Sequence, residues 1–575
     1  MRRIFVLFAT LAVATPAVAD EYFAKMADRY WDAELAHDPA GATAAGVHDF
    51  DDKLMDYSPD AVAAYTASQH DWQKLLDTVE PKLLTHDEAI DLQLLRLRVR
   101  EHLAQRELRR DWQRLPRVYS GEALNAVYLV VKRDFAPLPQ RLASVIAREE
   151  QIPQLLANAR LNLKDPAKIN VQLALEELPS SIDFLKSDTV QAFASVQDPA
   201  LRKRFTASTA KATRALADYG EWLKKTWLPK AKPSFAIGKD AFVALLAGAE
   251  GIDTPLDQVL AQGEAELTRL HDLYVATAKQ IDPTKPATDV QAALAADHGS
   301  PKTLLADVNA RLAGLRQFLV DKGIVTIPSK VMPIVQESPP FMRATTTASM
   351  DTPGPFEKVA TQAYFNVTLP GAHDTPRQIE ERMAEFNRGT IISTAIHEAY
   401  PGHYIQFLWV PQAPSTVRKL LGANSNAEGW AHYCEQMMLD EGYGQPGTGA
   451  RDARDAKMIR LGQLQDALLR DARFVVGVQM HTGQMTFDQA VDFFVTEGYQ
   501  THEGGLIETK RGTTDATYLY YTLGKLQIMK LRADVEKKEG AQFSLERFHD
   551  EFLKQGFAPI KIVRRALLGD ASPTL

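Results

Sequence analysis

A chain of 575 residues with 45% hydrophobic and 24% charged residues has the make-up of a soluble globular protein. It is longer than one hydrophobic core usually serves, so two closely packed lobes are expected. The net charge of -7 is spread along the chain without a basic block or an aromatic–basic stripe, which sets aside a nucleic-acid surface.

Arg2 and Arg3 precede a short apolar run, Ile4 to Val13, and Ala17-Val18-Ala19 supplies the small residues that signal peptidase accepts. The run is about half of what spans a bilayer. No cysteine follows it to carry a lipid anchor. Residues 1–19 are therefore expected to be a cleaved signal peptide. The mature chain is expected to be periplasmic or secreted, with no stable membrane insertion. The single cysteine, Cys434, excludes an internal disulfide and a cysteine-rich structural zinc site.

Residues 20–323 read as a helical N-terminal lobe. Thr85 and Glu88 form a capping box ahead of a stripe through Ile90, Leu94 and Leu97. Thr254-Pro255 opens a second helix with Leu256, Val259, Leu260, Leu267 and Leu270 on one face. Ser300-Pro301 opens a third, running through Leu304, Val308, Leu312, Leu315 and Leu319 to a stop at Gly323. These stripes face a core and carry no chemistry. Between 324 and 378 eight prolines interrupt any helix, and short β-type runs survive at Val331–Val335 and Ala363–Leu369. A small antiparallel sheet is expected there, ahead of a helical C-terminal lobe over 379–575. The fold expected is mainly α: two helical lobes with that sheet between them.

The sharpest motif is His397-Glu398-Ala399-Tyr400-Pro401-Gly402-His403. Neutral imidazoles bind zinc, and a carboxylate left off the metal accepts the proton of the attacking water. Zinc-protease helices usually carry the two His four residues apart, about 40° around the axis, whereas six residues leave them about 120° apart. They can share one metal only if the helix is deformed between them, and Pro401 and Gly402 stand where it must be. Downstream, Glu428, His432 and Glu435 fall on one face of a helix opened by Asn426. Glu428 is the candidate third ligand. Glu435 can instead orient a ligand His, and His432 and His502 are assigned to the surface or to supporting positions.

HEAYPGHYIQ, EGWAHYCEQ, the segment around His481 and RGTTDATYLYYTLGKLQIMKLR together resemble the bacterial domain-of-unknown-function family 885. The resemblance covers most of the mature chain. It implies a largely helical fold with a zincin-like metallopeptidase site, in which His397, His403 and Glu428 bind the metal and Glu398 is the base. Members often show Asp-Thr-Gly-x-His where this chain has Val476-Gly477-Val478-Gln479-Met480-His481. His481, Arg511 and Tyr521 lie in the resembling segments and are candidates to meet the oxyanion.

The expected function is zinc-dependent hydrolysis of peptide or amide bonds, with a short peptide or small amide as substrate. The Ala363–Leu369 run is a candidate edge strand for pairing with a peptide backbone. A zinc esterase or deacylase would use the same residues. A periplasmic binding protein keeping a structural metal is the reading from another class, although Glu398, unneeded for coordination, speaks for catalysis. No Gly-x-Ser-x-Gly elbow supports a serine hydrolase.

Overall fold

The computed structural model describes residues 16–339, 342–343, 346–371, 374–570 and 572–575. Arg2, Arg3 and the Ile4–Val13 run lie outside the described residues, while Ala17–Ala19 stands in the first helix, Pro16–His37. Helices dominate on both sides of the 324–378 stretch.

Local signals set several helix ends. The Thr85 hydroxyl accepts from the Glu88 N–H, and Glu88 Oε2 accepts from the Thr85 N–H, so two orphan donors at the start of α1 (His86–Leu103) are satisfied. Farther on, α2 (Leu138–Asn162) and α3 (Pro199–Trp222) enclose a core of their own with Ile146, Leu156, Ala212 and Leu216. Pro255 immediately precedes α4 (Leu256–Ile281). The next helix, α5 (Leu304–Lys322), starts three residues after Pro301. It stops at Gly323, whose φ of 59° is the left-handed cap that glycine adopts without a Cβ penalty.

The 324–378 stretch holds three strands, β1 (Ile334–Glu337), β2 (Ala348–Asp351) and β3 (Tyr364–Val367), in the order β1-β3-β2. The sheet is mixed, not purely antiparallel: β1 runs parallel to β3 and β2 antiparallel to it. Pro333 lacks a ladder donor, so the first strand begins at Ile334 and not at Val331. The Ala363–Leu369 run is the central strand. Both of its edges are occupied, which removes it as an edge for a substrate backbone.

The cores cut across the lobe boundary expected at residue 323. Besides the core around α2 and α3, the largest one joins α1 and α5 to β3 and to the helices after 379, through Leu94, Leu95, Leu312, Phe365, Ile396 and Trp430. Similarly, α4 packs through Leu267, Leu270 and Tyr274 on Leu461, Leu464 and Leu468. The physical reason is the amphipathic stripes themselves: each helix buries its apolar face on whichever partner covers it, whatever the chain distance.

Candidate metal centre

His397 and Glu398 are the last two residues of α6 (Thr390–Glu398), and His403 is the first of α7 (His403–Trp409). Between them the chain turns a corner in which the Tyr400–Pro401 peptide is cis. The Gly402 N–H donates to Ile396 O at 3.0 Å, and Trp430 Nε1 donates to Pro401 O at 2.9 Å. A Cβ on Gly402 would stand 1.8 Å from His397 O, so only glycine fits. The expected helix deformation is therefore a full break, and it brings the two imidazoles face to edge with centroids 4.8 Å apart.

The third residue comes from α8 (Asn424–Asp440). This helix starts two residues before the expected Asn426, whose side chain is spent elsewhere: it donates to Ala558 O and accepts from Gln406 Nε2. Glu428 Oε2 lies 3.3 Å from His397 Nε2 and 3.5 Å from His403 Nε2. Ligand atoms of all three residues fall within 4.8 Å of one another. A tetrahedral zinc with ligands at ~2.0–2.1 Å has edges of about 3.3–3.4 Å, close to the carboxylate–imidazole distances of 3.3 and 3.5 Å. Glu428 Oε2 is buried and accepts no hydrogen bond of good geometry. An orphaned carboxylate oxygen facing two imidazole nitrogens fits a cation.

The surroundings aim these groups. His397 Nδ1 pairs with Glu435 Oε1 at 2.6 Å, which leaves Nε2 to face Glu428. Glu435 is fully buried. It also meets His432 Nδ1 at 3.1 Å and Arg470 Nη2 at 3.2 Å. Burial works against charge on Glu435, but Arg470 and these hydrogen bonds hold it well below the usual carboxylate range. Burial pushes the His432 ring down to about 3, so it is neutral. Burial also opposes charge on His397, yet Glu428 and Glu435 raise its pKa to about 10. The pocket thus favours positive charge between the carboxylates.

Glu398 is 8% exposed and lies outside the His397–His403–Glu428 cluster, and its side chain hydrogen-bonds to no other described residue. Tyr521 sits at the start of α11, which follows α9 (Ala453–His481) and α10 (His502–Gly512) and spans Tyr520–Glu539. Gly429 of α8 crosses Gly524 of α11 so closely that a Cβ on Gly429 would stand 2.4 Å from Gly524 Cα. That crossing brings Tyr521, one turn before Gly524, beside Glu428. Burial and the Glu428 charge raise the Tyr521 pKa. Its hydroxyl accepts from Arg511 Nη2 at 3.0 Å.

His481 is not brought to the cluster. It lies eleven residues beyond Arg470 on α9, about 16 Å of helix rise. Its Nε2 pairs with Gly512 O at 2.7 Å, and it packs on Phe235. His502 is exposed at the start of α10, and His432 is buried behind Glu435. The residue that sequence reasoning missed is Arg470, one polar position among many on a 29-residue helix. No local motif marks it.

A family model described as a bacterial protein of unknown function (DUF885) matches residues 39–567. A solved structure of a candidate lipoprotein of unknown function from Shewanella oneidensis is similar at 25% identity, with a TM-score of 0.79 over 95% of this chain and 99% of that one. One of a candidate lipoprotein from Colwellia psychrerythraea, at 17% identity, shares the fold with a TM-score of 0.79 over 96% of this chain and 98% of that one. No curated protein sequence matches. With its match running over most of its length, the chain belongs to the DUF885 family of bacterial proteins.

Proposed function

We propose that His397, His403 and Glu428 hold one zinc ion and that the protein hydrolyses peptide or amide bonds of short substrates. The observation that carries this is the orphaned Glu428 oxygen facing two imidazole nitrogens, with Glu398 next to them and uncommitted. Zinc in such a site supplies Lewis acidity, lowering the pKa of water towards ~7 and polarising a carbonyl. Glu398 takes a proton from the attacking water and returns it to the leaving nitrogen as the C–N bond breaks and the new C–O bond forms. The products are a carboxylic acid and an amine. Because Tyr521 accepts from Arg511, its own hydroxyl proton is left to donate to the carbonyl oxygen as negative charge grows there. An ester or acyl group would meet the same residues.

One further feature suits export to the periplasm or beyond. The similar structure from Shewanella oneidensis is described as that of a candidate lipoprotein. No helix among the described residues is long and apolar enough to cross a membrane.

The test is metal analysis joined to a peptide-library digest. Glu398→Gln keeps the shape but cannot accept a proton, so kcat should fall at least ~10²-fold with zinc content near normal. His397→Ala should lose both metal and activity. A Glu398→Gln protein with full activity, or one without zinc, overturns the assignment of the base.

A further inference from the structure

Three arginines surround the Tyr521 ring, with guanidinium carbons 5.8 Å (Arg470), 5.0 Å (Arg473) and 5.8 Å (Arg511) from its centroid. Two of them are neutralised. Arg473 makes a two-pronged pair with Glu508 at 2.7 and 2.8 Å, and Arg470 pairs with Glu435 at 3.2 Å. Arg511 has no carboxylate within ion-pair distance among the described residues. Among the described residues its guanidinium makes one hydrogen bond, to a neutral hydroxyl, that of Tyr521. It is also the exposed member of the three.

The position of this cation matters more than its charge. A short chain of contacts runs from the proposed metal site to it. His397 meets Glu435, Glu435 meets Arg470, Arg470 lies over the Tyr521 ring, and Tyr521 meets Arg511. The Gly429–Gly524 crossing independently sets Tyr521 beside Glu428. Arg511 is thus one side chain beyond the group offered to the reacting carbonyl. A bland account exists: Arg511 is in the last turn of α10, where a cation complements the helix dipole. That account explains a positive charge, which neighbouring Lys510 also supplies while pairing with Glu176. It does not explain why a guanidinium is tethered to Tyr521 with no acid within ion-pair distance among the described residues.

We infer that Arg511 anchors the α-carboxylate of the substrate, so that the protein acts on short peptides bearing a free C-terminus near the scissile bond. A guanidinium offers parallel donors in the geometry of a carboxylate, and Arg511 has spent one of them. The inference rests on reading the metal centre as hydrolytic, but its test does not need turnover. An acidic side chain in the peptide is the other source of the same group.

The experiment uses the full-length Glu398→Gln protein loaded with zinc and calorimetric binding of three probes: tri-alanine, tri-alanine amide, and an amidated tripeptide with one aspartate. Tri-alanine should bind ~10–100-fold tighter than its amide, the worth of a hydrogen bond to a charged group. Arg511→Ala should erase that difference with zinc content and thermal unfolding unchanged, and Arg511→Lys should restore part of it. Equal binding of acid and amide, or no binding of either, overturns the anchor, and neither comparison requires the Arg511 variant to fold. Discrimination that survives in Arg511→Ala also overturns it. If the aspartyl amide binds as tightly as tri-alanine, a side-chain carboxylate is the ligand and the α-carboxylate assignment fails. Absence of peptide cleavage by wild type alongside Arg511-dependent binding would instead overturn the hydrolytic reading and keep the anchor.

Discussion

His397 has two nitrogens and each is already spoken for: Nδ1 by Glu435 at 2.6 Å and Nε2 by the space in front of Glu428. A carboxylate behind a ligand imidazole fixes its ring angle and tautomer and makes it a better donor, an effect commonly worth 10–100-fold in metal affinity. Glu435 is itself fixed by Arg470 and His432. Glu435→Gln preserves volume but removes the charge and one of two equivalent acceptors. It should weaken zinc binding by ~10–100-fold in a chelator competition, whereas Glu398→Gln should leave affinity near wild type. Equal zinc affinity in Glu435→Gln and wild type would show that Glu435 serves folding only. Legibility at this scale followed distance along the chain. The motif at 397–403 is contiguous, so its residue types and its need for a break at Pro401-Gly402 could be read directly. Arg470, by contrast, reaches Glu435 only through tertiary packing.

Among elements, the site depends on how closely α8 and α11 approach. Gly429 and Gly524 let backbone pass against backbone: a Cβ on Gly429 would meet Gly524 Cα at 2.4 Å and Gly524 C at 2.7 Å. Neither atom is the end of a flexible side chain, so Gly429→Ala must push the helices apart. Overpacking of this kind costs ~1–3 kcal/mol. Because Glu428 precedes Gly429, the same shift should also pull its carboxylate out of register with the two imidazoles. Calorimetry and zinc titration of Gly429→Ala should both register a loss, and a variant with unchanged unfolding temperature and zinc affinity would contradict the crossing. Helix ends governed by local chemistry, such as the Thr85–Glu88 box and the Gly323 stop, were legible in sequence. Sheet order was not. That β3 lies between a parallel and an antiparallel neighbour depends on how the chain from 338 to 363 returns, which no residue pattern specifies. Asn426 looked like a cap because Asn prefers that role, but Ala558 and Gln406 claim its amide.

For the molecule as a whole, the metal would tie together three helices that all belong to the largest core. Ile396 precedes His397, Tyr404 follows His403, and Trp430 lies two residues beyond Glu428, and all three are buried in that core. The core around α2 and α3 contributes no residue to the cluster. Metal binding should therefore stabilise the part of the fold built on the largest core, by RT ln(1 + [L]/Kd), which is about 2.7 kcal/mol at a free zinc concentration one hundred times Kd. Unfolding removes the site, because His397, His403 and Glu428 converge only through the corner at Gly402 and the packing of α8. In scanning calorimetry, zinc should raise the unfolding temperature above that of chelator-treated protein. If the two cores unfold separately, only the transition reported by buried Trp430 should move. His403→Ala removes one member of the cluster, a side chain 12% exposed at the start of α7. Its unfolding temperature should be insensitive to zinc, while its value in chelator should stay close to that of wild type. A wild-type protein whose unfolding ignores zinc, or a His403→Ala variant that responds to it as wild type does, would remove the cluster from consideration as a metal centre.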